Sequence, residues 1–125
     1  MTYQYDADLA LFVGSGWKLG EGRDTFPVVD PARGETIAEV PLATAADLDE
    51  ALATADRMFG QWRATPPEQR AAVLRKTAAL LRDRADVIAR TLTLEQGKPI
   101  AEARGEVASS AGFFDWCSEE ATRIY

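Results

Sequence analysis

The spacing of apolar residues changes once along this 125-residue chain, near residue 44. Before that point apolar side chains come in short runs broken by glycine and proline. After it they recur every three to four residues almost to the C-terminus. Such a chain is expected to be mixed α/β, with an N-terminal β-hairpin region over about residues 9–42 and three to four α-helices over about 45–124.

The strand region carries two turn signals. Residues 9–19 set apolar side chains around a Gly-Ser-Gly break, and FPVVDPARGETIAEVPL (26–42) reads as a hairpin. Asp30 and Pro31 begin its turn, and Gly34 is able to take positive φ there. The return strand alternates until Ile37 and Val40 break the register near its end.

Thr44 and Asp47 form a T-x-x-D capping pair for a helix whose stripe includes Leu48, Ala51, Leu52, Ala55, Met58, Phe59 and Trp62. A second capping box, with Thr65 as N-cap, Pro66 at the first helical position and Glu68 closing it, starts the next helix. Its stripe runs from Leu74 through Ala78, Leu81, Ala85 and Ile88 to Leu92, long enough for RDRAD (82–86) to hold a kink or break. Gly97 and Pro99 stop it. A last helix opens at Pro99 or Ile100 and lines up Ala103, Val107, Ala111, Phe114, Cys117, Ala121 and Ile124.

Composition removes several function classes. With 14 Lys and Arg against 20 Asp and Glu, the net charge is −6. Nucleic acid and anionic membranes are therefore unexpected partners. One cysteine, Cys117, excludes an internal disulfide. No apolar run approaches the ~18 residues of a membrane span, and the N-terminus lacks a basic signal-peptide region, so the cytoplasm is the expected location. The absence of histidine removes Ser-His and Cys-His nucleophile activation and His-zinc sites.

The remaining candidates have ordinary readings. Cys117 sits late in a helix beside Glu119 and Glu120, which oppose a thiolate, and reads as a core residue. Gly14, Gly16 and Gly20 have the wrong spacing for a dinucleotide loop, and no helix follows them; they read as turn glycines. Glu102 and Glu106 share a helix face that reads as solvated, with Lys98 four residues before Glu102 and able to pair with it. Glu95 is different, because a carboxylate in the last turn opposes the helix dipole. That placement suits a cation ligand or a tertiary hydrogen-bond acceptor. Phe113 and Trp116 fall beside the core stripe and widen the apolar surface of the last helix.

Five segments together carry a family resemblance. They are FVGSGWK, FPVVDPARGETIAEVP, ATAADLDEALATADRMFGQWR, the long PPEQRAAVLRKTAALLRDRADVIARTLTLEQGKPIAEARGEV and FFDWCSEEATRIY. The chain resembles the N-terminal part of the aldehyde dehydrogenase superfamily from residue 11 onward, and LTLEQGKPIAEARGEV is most like the succinate-semialdehyde dehydrogenase-like branch. The resemblance implies a partial aldehyde dehydrogenase fold, the N-terminal part of a Rossmann-like NAD(P)-binding domain, with the catalytic domain absent. For a full-length parent it implies a homo-oligomer that uses NAD or NADP to oxidise an aldehyde through a cysteine thiohemiacetal. None of the four glutamines here is followed two residues later by cysteine, so the family's G-Q-x-C nucleophile motif is missing. The chain alone is therefore expected to be inactive and to bind no cofactor.

By the same resemblance, the backbone carbonyls of Val28 and Val29 and the carboxylate of Glu95 lie near a site for a monovalent cation, K⁺ or Na⁺. Ser109 and Phe113 match the helix that lines the substrate entrance. The competing expectation is a non-enzymatic helical module that binds a separately encoded partner.

Overall fold

The computed structural model describes residues 9–123. Contacts divide the chain into two compact units, residues 1–64 and 65–125.

The first unit contains two antiparallel hairpins and one helix. Strands β1 (Ala10–Val13) and β2 (Gly16–Leu19) pair with Phe12 opposite Trp17. Their two-residue connection turns at Gly14, whose φ of 71° needs a residue without Cβ. Strand alternation gives this hairpin two faces. Leu11, Val13 and Lys18 are half-buried on one, whereas Phe12, Trp17 and Leu19 are exposed on the other.

Strands β3 (Thr25–Asp30) and β4 (Glu35–Pro41) form the hairpin expected from DPARG. Asp30 organises its turn from both ends. Its carboxylate accepts the Ala32 N–H at 2.8 Å, and its carbonyl accepts the Gly34 N–H at 2.8 Å, with Gly34 at a φ of 71°. The register steps between Val28 and Val29, which face Ala38 and Thr36, so Ile37 is an extra residue on the return strand. This bulge is the register break anticipated at Ile37; at Val40 the pairing continues, opposite Phe26.

Helix α1 (Ala45–Ala64) begins with a closed capping box. The Asp47 carboxylate accepts the Thr44 N–H at 2.8 Å, and Thr44 Oγ1 accepts the Asp47 N–H at 3.2 Å. The helix packs against β1. Its large apolar residues Leu48, Leu52, Phe59 and Trp62 are nevertheless exposed, so the predicted stripe exists as spacing without a layer over it.

The second unit is a helical layer of α2 (Pro67–Asp83), α3 (Ala85–Gln96) and α4 (Ile100–Glu120). The start of α2 differs from the sequence expectation by one residue. Pro66 is the N-cap, with ψ at 143°, and Pro67 is the first helical residue. A proline ring clashes with a helical conformation at the residue before it, so Pro67 holds Pro66 outside the helix. The N-cap is thus Pro66, which has no side-chain hydrogen bond to offer, and not Thr65.

The expected break between α2 and α3 falls at Arg84, with φ −103° and ψ 13°. The Arg84 N–H still reaches Leu80 O, and the Ile88 N–H reaches Arg84 O, so hydrogen bonding continues through the bend. Helix α4 packs on both α2 and α3. The buried core is built almost wholly of small residues: Ala71, Ala78, Ala89, Ala103, Ala111 and Val107. Small side chains let the helix backbones approach closely, and Ile88 and Leu92 fill in around the Ala89–Ala103–Val107 cluster. No helix of the described residues is long and apolar enough to cross a membrane.

Candidate functional site

The elbow between α3 and α4 is built by local chemistry. Gly97 takes the left-handed conformation at φ 74°, and its N–H caps the helix on Thr93 O at 2.8 Å. Pro99, with ψ at 141°, starts α4 by offering its carbonyl to Glu102 and Ala103. Glu95 lies exposed in the final turn of α3. Lys98 pairs with Glu106 rather than with Glu102. The elbow redirects the chain before Lys98, so helical spacing does not govern its reach. Arg104 Nε bonds Asp86 Oδ1 at 2.9 Å, and Arg82 bonds Asp115 at 2.5 Å, tying α4 to α3 and α2 respectively.

Val28 and Val29 flank the step in the β3–β4 ladder. A bulge interrupts regular pairing and alters where backbone carbonyls point. These valines belong to the first unit and Glu95 to the second. Among the described residues no three His, Cys, Asp or Glu side chains gather in a way that could hold a metal ion.

Ser109 and Phe113 are both exposed on α4, one helical turn apart. Phe113 stacks on Trp116 with ring centroids 6.0 Å apart. A shallow groove of about 220 Å³ runs nearby between the helices, but it is lined by Leu81, Ile88, Leu92, Glu106, Val107 and Ser110. Neither Ser109 nor Phe113 faces it. Cys117 is a half-buried free thiol on the same helix.

A polar cluster that sequence reasoning missed lies in the first unit. The Asp47 side chain is only 4% exposed. Besides its capping contacts it accepts two bonds from Arg23, at 2.5 and 3.2 Å, one from Lys18 at 2.9 Å and one from the Thr44 hydroxyl at 2.7 Å. Lys18 also reaches Glu50 at 2.6 Å. Arg23, then Lys18, then the Thr44 donors hold the Asp47 carboxyl far below the usual carboxylate range, against the opposing effect of burial. The Glu50 carboxylate and then Asp47 raise Lys18, and Asp47 raises Arg23. Only the Thr44–Asp47 spacing was visible in the sequence; the cations join from 29 and 24 residues away.

The Gly14 turn does not fit a dinucleotide loop. The Gly14 turn joins two antiparallel strands instead of leading into a helix N-terminus. A Cβ built on Gly14 would lie 2.6 Å from Glu50 Oε1, so a carboxylate occupies the place where a pyrophosphate would need donors.

Comparison with known proteins follows the same outline. The aldehyde dehydrogenase family model matches residues 17–125. A glutarate-semialdehyde dehydrogenase of Pseudomonas aeruginosa is 42% identical over 114 residues, covering 91% of this chain and 24% of that protein. The NADP-dependent succinate-semialdehyde dehydrogenase of Escherichia coli is 37% identical over 113 residues, covering 90% and 23%. The crystal structure of aldehyde dehydrogenase 21 from Physcomitrella patens, in complex with the reaction product succinate, superposes with a TM-score of 0.89 at 37% identity, covering 94% of this chain and 24% of that one. The chain belongs to the aldehyde dehydrogenase family. It spans about a quarter of the length of the relatives it matches, and corresponds to their N-terminal portion.

Proposed function

We propose that these 125 residues serve as the N-terminal part of an NAD(P)-dependent aldehyde dehydrogenase acting on a short aldehyde with a carboxylate at its far end, such as succinate or glutarate semialdehyde. The observation that carries this reading is the family match along nearly the whole chain, with semialdehyde dehydrogenases among its relatives. The nicotinamide, when bound, supplies the hydride acceptor; no residue described here is assigned to it.

The contribution of this segment is to frame the site. In this reading the carbonyls of Val28 and Val29 and the carboxylate of Glu95 hold a K⁺ or Na⁺ ion. Support comes from the ladder step at the valines and from the exposed position of Glu95 in a helix's last turn, where a cation offsets the adverse dipole. Hard oxygen donors suit such an ion. Ser109 and Phe113, exposed one turn apart, border the substrate entrance. The enzyme is taken to be a cytoplasmic homo-oligomer without nucleic-acid or membrane partners, consistent with a net charge of −6.

The test is a graft. The pure chain, given either semialdehyde with NAD⁺ or NADP⁺, is expected to show no turnover. The same residues exchanged for the matching quarter of the Escherichia coli enzyme should restore it. Turnover by the chain alone, or a well-folded graft without activity, would overturn the reading. In the graft, Glu95→Gln should alter the dependence of activity on K⁺ or Na⁺. An unchanged dependence refutes the cation assignment.

A further inference from the structure

The two units are held by different physics. Apart from Pro41, every buried apolar side chain among the described residues lies between Ala71 and Ala111, in the second unit. The buried residues described in the first unit are Asp30, Pro41 and Asp47. Asp30 serves its own turn. Asp47 joins three separate pieces: Lys18 from β2, Arg23 from the connection between the hairpins, and the first turn of α1. Arg23 extends the junction to the Leu42 carbonyl at 3.4 Å. Glu50 extends it to the β1–β2 turn, since it shares Lys18 and its Oε1 lies against Gly14.

We propose that Asp47 is an acid-releasable clasp, whose carboxylate holds the first hairpin and Arg23 onto the start of α1 and whose protonation opens the first unit. A protonated carboxyl accepts fewer strong bonds, and it leaves Arg23 without its carboxylate partner and Lys18 with Glu50 alone. The charged groups facing Asp47 among the described residues are Lys18 and Arg23, with Glu50 acting through Lys18. Because these groups depress the folded-state value of Asp47, its contribution is fully present above the unfolded carboxylate's value of about 3.9 and is lost progressively as pH falls from there through the depressed folded-state value.

The experiment follows backbone amide cross-peaks of the whole chain by NMR from about pH 7 to about pH 2. Gly14, Lys18 and Thr44 report on the clasp, and Ala78 and Val107 report on the helical core. The clasp amides should lose their native positions on acidification before the core amides do. Asp47→Asn should show the released pattern already at neutral pH, with hydrogen-exchange protection at those amides reduced roughly tenfold or more. Asp30→Asn, altering the other buried aspartate, should leave the neutral clasp signals in place. Native clasp signals in Asp47→Asn at neutral pH, or simultaneous loss of clasp and core in the wild type, would overturn the proposal. If Asp47→Asn fails to fold altogether, the wild-type titration decides alone.

Discussion

At the scale of single residues, backbone geometry and buried polarity decide the outcome. Gly97 adopts a φ of 74° at the end of α3, so Gly97→Ala should destabilise the second unit by about 1 kcal/mol, measured by urea denaturation followed through helix signal. Thr93 has a buried hydroxyl oxygen without a hydrogen-bond partner. The nearly isosteric Thr93→Val removes that unsatisfied group and should stabilise by about 1 kcal/mol in the same measurement. An unchanged or lower midpoint would show that the hydroxyl is satisfied in solution. Residue-level signals were partly legible. Gly34 and Gly97 were each flagged by their neighbours in sequence, because left-handed turns are specified locally. Lys98 was not, since choosing Glu106 over Glu102 depends on where an elbow aims a long side chain.

Among elements, the helices show what sequence periodicity contains and what it omits. The positions of α2, α3 and α4 follow from a 3.6-residue period and from punctuation at Arg84, Gly97 and Pro99. The one-residue error at Pro66 came from weighing the favourable first-turn position of proline without the steric effect of Pro67 on its predecessor. The Asp47 cluster was legible only as a cap, because local rules carry no information on partners 24 and 29 residues away. The alanine faces of α2, α3 and α4 set a further expectation. Ala103 is fully buried in the core, and Ala103→Leu forces three extra carbons into closely packed backbone, at a cost of about 1–3 kcal/mol. A calorimetric midpoint equal to that of the wild type would mean that the core is looser than its geometry indicates.

On the scale of the whole molecule, exposed apolar surface accompanies the family assignment. Phe12, Trp17, Phe26, Leu48, Leu52 and Phe59 are all more than half exposed in a segment spanning about a quarter of its relatives. The pure chain should therefore bind hydrophobic dyes and self-associate as its concentration rises. A monodisperse, dye-free chain with one cooperative melt would instead favour a stand-alone interaction module. The tryptophans carry a related consequence for spectroscopy. Trp17, Trp62 and Trp116 are 72%, 47% and 57% exposed, so their indole rings are largely hydrated in the native fold. The emission maximum of the folded chain should consequently lie close to that of the denatured chain. A shift of that emission to the blue becomes a signature of these rings being covered by another surface, and the chain carries its own optical reporter of docking.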